Sequence, residues 1–326
     1  MIGRREFIAR LGSAAAWPVT ARAQQPAVPV IGMLMVASRE ANLSRLAAFR
    51  EGLNETGYVE MRNVAIEYRS ADGQFDRLPA LAAELVRRHV NVIVALGGIP
   101  AALAAKSATT TIPVVFQSGA DPVKMGLVAS LAQPGGNMTG ASNLDVELGP
   151  KQLEILHELI PTATSIALLV NPANPNTETA LNDMQAAARI LGLQLNIVHA
   201  SADGDLDTVF ANLIGLPAGG LVIAPDPFFG SRIERLAALA TRHAVPAIYR
   251  PDFAAPGGLM GLAGPFAEQY RVVGTYTGRI LKGDKPGNLP VQQSTRVELT
   301  INMRTAKSLG LTVPITLLGR ADKLIE

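Results

Sequence analysis

From Val30 onward, short apolar runs rich in β-branched residues alternate with longer stretches whose apolar positions recur every three or four residues. The first pattern predicts strands and the second predicts helices packed against them. Val30 to Val36 reads as a strand, Leu43 to Glu55 as an amphipathic helix closed by Gly57, and Val64 to Tyr68 as the next strand. Phe75 to Arg88 carries Leu78, Leu81, Leu85 and Arg88 at helical spacing. Val90 to Leu96 is almost continuously apolar, as a parallel strand covered on both faces requires. A short helix from Pro100 to Ala108 and a strand from Pro113 to Gln117 complete four β/α units.

A loop-rich stretch centred on Gln133-Pro134-Gly135-Gly136-Asn137 follows, and then the alternation restarts. Strands are expected at Ser165 to Val170, Gln194 to Val198, Leu221 to Ala224 and Ala247 to Tyr249. Between them fall helices at Thr177 to Leu191, with Gly192 behind it, at Leu206 to Ile214 and at Arg232 to His243. The tail reads as a strand-like Leu259 to Leu262, a helix from Phe266 to Lys282, a turn at Lys285-Pro286-Gly287, a strand at Val297 to Ile301 and a short helix near Ala306. Such alternation predicts an α/β fold of two doubly wound, mainly parallel lobes, with the tail completing both. In open parallel sheets ligands sit beyond the carboxyl ends of the strands, so two facing lobes form a cleft that closes on a solute by hinge motion.

Length and composition agree with this picture. The 326 residues suit two domains, and a chain 48% hydrophobic and 17% charged buries a sizeable core, which excludes disorder as the main state. The net charge of +2 is misleading. Arg4, Arg5, Arg10 and Arg22 face only Glu6 in residues 1–23, leaving 25 basic against 26 acidic residues in the rest. A body so near neutrality lacks the basic footprint of a nucleic-acid-binding protein.

Residues 1–23 read as an export signal: a basic start, a mild apolar stretch from Leu11 to Val19, and the small-x-small triplet Ala21-Arg22-Ala23 before Gln24. Cleavage is predicted after Ala23. Arg4-Arg5 followed by Glu6-Phe7-Ile8 resembles a twin-arginine signal, which implies export in the folded state. An apolar stretch of nine residues interrupted by Pro18 is too short to cross a bilayer core of ~30 Å. The chain contains no Cys, which excludes disulfides, thiolate catalysis, Cys zinc sites, iron–sulfur clusters and a lipidated N-terminal Cys. With no later apolar stretch long enough to span a membrane, a free periplasmic protein without a membrane anchor is expected.

Enzyme chemistry finds little to hold. His89, His157, His199 and His243 show no metal-ligand spacing and fall at element ends, as capping or solvated residues do. No nucleophile elbow or zinc-protease motif occurs, and the nearest approach to a phosphate loop, Gly278 to Gly283, runs into Asp284 instead of Lys. Polar residues collect instead at strand ends. Ser38 follows the first strand; Gly97, Gly98 and Ile99 follow the third and open a helix whose free N–H groups favour an anion. Gln117, Ser118 and Asp121 follow the fourth, and Asn171, Asn174, Asp226 and Tyr249 occupy matching places in the second half. Singly, pairs such as Asn171-Pro172, Asp121-Pro122 and Asp226-Pro227 are ordinary turn formers. As a set on two facing rims they form a candidate ligand site. For an amino acid, Gly98, Ile99 and Ser38 are candidate partners of the carboxylate and Asp121 or Asp226 of the ammonium. Tyr249, Phe228 and Phe229 are the candidate aromatic wall, although all three read equally well as core and Phe228-Phe229 as a staple on the following helix.

The run Pro113-Val114-Val115-Phe116, then Asp121-Pro122-Val123, Gly126-Leu127-Val128, Ser130-Leu131 and Pro134 to Gly140, closely resembles the ABC transporter substrate-binding protein family that includes tryptophan-type solute receptors. The tail carries the same resemblance in Gly257-Gly258-Leu259-Met260, Ile280 to Gly283, Leu289 to Gln292, Ile301-Asn302, Thr305-Ala306-Lys307, Leu309-Gly310-Leu311 and Arg320-Ala321-Asp322. It departs from the family pattern at Met260-Gly261-Leu262-Ala263-Gly264, where Ser-Tyr-Gly commonly follows Leu-Met.

The resemblance implies a type 1 periplasmic-binding fold. A first lobe of residues 28–140 plus about 257–288 and a second of 141–256 plus about 289–326 would be joined by a three-strand hinge crossing near Thr139 to Asn143, Arg250 to Pro256 and Leu289 to Thr295. It also implies a monomer that delivers a small solute, an amino acid or related small carboxylate, to a membrane permease driven by a separate ATPase, without metal or organic cofactor and without turnover. A repressor effector domain would need a DNA-binding helix pair where the export signal stands. A sensor reporting to a membrane kinase and an exported α/β enzyme are the alternatives.

Overall fold

In the computed structural model the described residues are 28–143, 145–213 and 219–326; the export signal read from residues 1–23 lies outside them. The strands are β1 (Val30–Met35), β2 (Ala65–Ser70), β3 (Val92–Leu96), β4 (Val114–Ser118), β5 (Met138–Ser142), β6 (Ser165–Val170), β7 (Gln194–His199), β8 (Leu221–Ile223), β9 (Ala247–Tyr249), β10 (Met260–Ala263), β11 (Gln292–Gln293), β12 (Glu298–Asn302) and β13 (Lys323–Ile325). The helices are α1 (Leu43–Glu55), α2 (Leu78–Arg87), α3 (Ile99–Ala108), α4 (Gly149–Leu159), α5 (Thr177–Leu191), α6 (Asp203–Leu213), α7 (Pro227–Gly230), α8 (Ile233–Arg242), α9 (Pro251–Ala254), α10 (Phe266–Leu281), α11 (Met303–Ser308) and α12 (Ile315–Leu318).

They form two sheets. The first runs β11-β5-β4-β3-β1-β2 and is parallel throughout. The second runs β13-β12-β10-β9-β8-β6-β7; its one antiparallel pairing is β10 with β12. Leaving aside the tail strands, both sheets take the same order, with the unit's second strand at one edge and its first strand next to it. The two halves of the chain therefore repeat one doubly wound topology, as the alternation predicts. Each sheet is covered on both faces. β3, β4 and β6 are buried along their whole length, which explains the continuous apolar runs Val92–Leu96, Val114 to Phe116 and Ile166 to Val170.

Sheet membership moves the expected boundaries. Met260–Ala263 falls in the expected first lobe with the helix that follows, yet β10 pairs with β9 and β12 in the second sheet. Ala141 and Ser142 lie in β5 of the first sheet, and Gln292–Gln293 pairs with them. The chain thus passes between sheets three times: between β5 and α4, at Gly264-Pro265, and between β11 and β12. The expected second crossing near Arg250 to Pro256 is instead the β9–α9–β10 connection inside the second lobe. After Pro265 the chain returns to the first lobe, where α10 lies against α1 so closely that a Cβ on Gly52 would come within 1.9 Å of the Arg271 carbonyl oxygen.

Two elements escape the hydrophobic pattern. The loop-rich stretch contains α4, whose start at Gly149-Pro150 uses Pro in the first turn, where no N–H is needed. It also contains β5, Met-Thr-Gly-Ala-Ser, which is fully buried but holds small residues because it runs against the β4 backbone. A Cβ on Gly140 would meet the Phe116 carbonyl oxygen at 2.0 Å.

Candidate binding cleft

The carboxyl ends of both sheets face one another across the crossings, and a cavity lies between them. From the first lobe it is lined by Ala37 beyond β1, Gly97 to Pro100 between β3 and α3, and Gln117 and Gly119 at the end of β4. Gly97 and Gly98 take φ of 102° and 83°, in the left-handed region that side chains avoid. A Cβ on Gly97 would also come within 2.8 Å of that of Val36. These two glycines turn the chain sharply enough to direct the N-terminus of α3 at the cavity. Asn42, just before α1, and Arg45 on its first turn reach in from the side.

The second lobe answers with a denser polar set: Asn174 and Asn176 beyond β6, Asp226 between Pro225 and Pro227 beyond β8, and Tyr249 and Arg250 at the end of β9. Gln152 on α4 and Asp145 in the first crossing complete it, while Phe266 and Tyr270 of α10 close the wall.

The two rims touch. Arg45 of the first lobe lies 3.6 Å from Asp252 of the second. Asp252 in turn accepts two hydrogen bonds from Arg250, at 2.7 and 2.8 Å. The guanidiniums of Arg45 and Arg250 each stand 5.1 Å from the centre of the Phe266 ring. A Cβ on Gly98 would lie 4.0 Å from Pro227, and one on Gly73 3.6 Å from the Phe228 ring. The arrangement is a closed cleft.

Closure buries charge, which costs free energy unless each charge is paired. Burial, aided by the like charge of Arg250, pulls the Arg45 pKa below its ordinary value. Asp226 is 6% exposed and burial pushes its pKa up, against the pull of four donors. Those donors are the Asn174 amide at 2.6 Å, the Asn171 amide at 3.4 Å, and the N–H groups of Phe228 and Phe229 at 2.7 and 3.3 Å. Tyr249 donates its hydroxyl to the Asp226 carbonyl oxygen at 3.1 Å, and burial raises that phenol's pKa as well. Asp145, also 6% exposed, accepts from the Asn143 amide at 2.6 Å and the Gly264 N–H at 3.2 Å. Burial pushes its pKa up to about 7. Gln152, 2% exposed, donates its amide to the carbonyls of Tyr249 and Leu262 at 3.0 and 2.9 Å.

Of the residues singled out from strand ends, Gly97, Gly98, Ile99, Gln117, Asn174, Asp226 and Tyr249 meet at this cavity. Asn171 stands one layer back, holding Asp226. Ser38, Ser118 and Asp121 do not line it. The Ser38 hydroxyl accepts from the Ala41 N–H, the Ser118 hydroxyl is engaged with the backbone of Ala120, and Asp121 caps its own turn by accepting from the N–H groups of Val123 and Lys124. Each performs the local turn chemistry that such residues favour. Phe228 and Phe229 are core, buried with Phe210 and Leu236. None of the four histidines lines the cavity, and the described residues hold no cluster of His, Asp or Glu able to ligate a metal.

Strand-end reasoning misses Asn42, Arg45, Asp145, Gln152, Asn176 and Arg250. Arg250 directly follows a strand and was within reach of the same rule. Arg45 and Gln152 sit on amphipathic helices, where a polar residue ordinarily faces water.

Comparison with known proteins agrees with the architecture. The profile of the ABC transporter substrate binding protein family matches residues 30–325. A tyrosine-binding protein of Clostridioides difficile is 26% identical over 268 residues, which is 81% of this chain and 75% of that protein. The crystal structure of a conserved domain protein from Vibrio cholerae superposes with a TM-score of 0.83 at 27% identity, covering 91% of this chain and 99% of that one. The ABC domain from Streptococcus pneumonia in complex with L-Trp superposes with a TM-score of 0.79 at 24% identity, covering 90% and 100%.

Proposed function

We propose a function from one premise: the chain belongs to the ABC transporter substrate-binding protein family. On this reading it captures an α-amino acid, or a closely related small carboxylate, between its lobes and presents it to a membrane permease powered by a separate ATPase. One observation carries the solute class. The closed cleft holds two guanidiniums, the half-buried Arg45 and the buried Arg250, together with the buried carboxyl groups of Asp145 and Asp226. Arg250 is matched by Asp252 and Asp226 by its four donors, whereas Arg45 and Asp145 keep capacity that a solute bearing both charges satisfies and a neutral sugar does not.

The carboxylate belongs at Arg45 and the N-terminus of α3. Arg45 meets Asp252 at 3.6 Å and the Asn42 side chain at 3.3 Å, which leaves donors to spare. The relatives that bind tyrosine and L-Trp make aromatic amino acids the first to test, with Tyr249, Phe266 and Tyr270 available as walls.

The same proposal includes export, cleavage after Ala23 and action as a monomer in the periplasm. Among the described residues no helix is long and apolar enough to cross a membrane. It also includes binding without turnover.

A thermal-shift panel on protein starting at Gln24, unfolded and refolded to strip carried-over solute, tests it. A ligand at 100 times its Kd adds ~2.7 kcal/mol of stability. A large shift with one or a few amino acids, each recovered unchanged by chromatography, is expected. Stabilisation by sugars alone, or consumption of the amino acid, would contradict the reading.

A further inference from the structure

We propose that Asp145 and Gln152 together receive the ammonium of a bound α-amino acid, a reading that rests on the solute class proposed above. Asp226, the carboxylate that the sequence points to, is largely committed to its own loop, with three donors on Oδ1 and the Asn174 amide on Oδ2. It has at most one acceptor site left, on Oδ2, against the roughly four lone-pair sites of a carboxylate. Asp145 takes one donor on each oxygen, from Asn143 and from Gly264, and so keeps acceptor capacity free.

Gln152 adds the second acceptor. Its amide nitrogen donates to two backbone carbonyls, which fixes the side chain so that Oε1 is the remaining atom. That oxygen is buried and takes no hydrogen bond among the described residues. An orphaned buried acceptor is costly unless a ligand supplies the donor. The two groups are neighbours by construction, because Gln152 bonds the carbonyl of Leu262 and Asp145 bonds the N–H of Gly264, two residues along the same strand end. Both line the cavity. A carboxylate beside a fixed amide oxygen is a donor-seeking pair, and an ammonium brings three donors and the matching charge.

The charged groups facing Asp145 are Arg250, which favours its ionised form, and Asp252, which opposes it. Arg45 and Asp226 line the same cavity, as do the phenols of Tyr249 and Tyr270. Because burial holds this carboxyl up to about 7, an arriving ammonium finds it partly protonated near neutrality and must displace a proton.

The test titrates the twenty common L-α-amino acids into the refolded protein, and pairs each that binds with the carboxylic acid lacking its α-amino group. In Asp145→Asn the Kd for the amino acid should rise about 10- to 100-fold at pH 8, while that of the deaminated acid stays unchanged. Gln152→Leu should raise the amino-acid Kd about tenfold with the same selectivity, provided circular dichroism shows the wild-type fold. Wild-type protein supplies a mutation-free arm that decides the matter should both variants misfold: amino-acid affinity should increase from about pH 6 to about pH 8 while that of the deaminated acid does not. Variants that leave the amino-acid Kd intact, or weaken both acids alike, or a wild-type affinity that is flat across that range, would overturn the assignment and leave the amino-acid reading standing. Failure of every amino acid to bind would bring down that reading and this one together.

Discussion

The two lobes share one strand order but offer the cleft opposite chemistry. The first contributes a glycine turn, the N-terminus of α3 and the guanidinium of Arg45, which are chiefly donors. The second contributes Asp145, Gln152, Asn174, Asn176 and Asp226, a set rich in acceptors, together with Arg250, whose charge is already matched by Asp252. A repeated topology therefore does not repeat the site. Sheet order is fixed by buried apolar runs and backbone pairing, whereas the polarity of each rim depends on a few side chains in the loops beyond the strands. With donors chiefly on one lobe and acceptors chiefly on the other, a dipolar solute bridges the two and favours the closed form, which is how binding free energy shifts the open–closed population.

If the architecture is shared, it should break in the same way on both sides. Gly140 in β5 and Gly261 in β10 occupy the same place in the two sheets. A Cβ there would lie 2.0 Å from the Phe116 carbonyl oxygen and 2.1 Å from that of Arg250. Backbone cannot yield as a side chain does, so Gly140→Ala and Gly261→Ala should each cost roughly 3 kcal/mol or more in urea unfolding, or prevent folding. A large loss in one lobe and none in the other would deny the equivalence.

The chemical asymmetry should appear next, in binding. Arg45→Met removes the first lobe's one cavity-lining guanidinium and should weaken an amino acid by about 2 kcal/mol in calorimetry, leaving unfolding little changed. Asp226→Asn should do the reverse. It weakens the cap of α7 and the link to Asn174, costing about 1 to 2 kcal/mol of stability with a smaller effect on Kd.

The ligand-free protein should also lose stability as pH rises from about 5 to about 8. The folded state holds the Asp145 proton up to about 7, whereas the unfolded chain releases it near the ordinary carboxyl value of 3.8. The folded state thus binds more protons in that window and is favoured at its acid end. Asp145→Asn should flatten the profile; an unchanged slope would place the proton elsewhere. Smallest of all, Lys151→Ala, which removes an exposed pair with Glu154 on α4, should change stability by no more than about 0.5 kcal/mol.

How much the sequence reveals follows the same division. β6, α5 and β9 have the predicted boundaries, because a buried strand must be continuously apolar and a helix such as α5 ends where Gly192 takes φ of 68°. β5 is hidden because close backbone packing demands small residues, which carry no strand signal. α4 is hidden behind Gly149-Pro150, which reads as loop although Pro is at home in a first helical turn. At the site, the strand-end rule finds Gly97, Gly98, Asn174 and Asp226, whose places follow from topology alone. It also names Asp121, which does not line the cavity because its carboxylate caps its own turn, and it passes over Gln152 and Arg45, which do, and whose inward direction depends on how α4 and α1 are rotated against their sheets. Periodicity assigns such polar residues to the solvated face, and tertiary packing alone reverses that.

The most direct test of the whole account is a crystal structure of residues 24–326 grown with the amino acid that stabilises the protein most. The account predicts the amino acid between the lobes, its carboxylate on Arg45 and the first turn of α3, and its ammonium within hydrogen-bond distance of Asp145 and the Gln152 oxygen. A solute held by one lobe alone, or turned with its carboxylate toward Asp145, would contradict it.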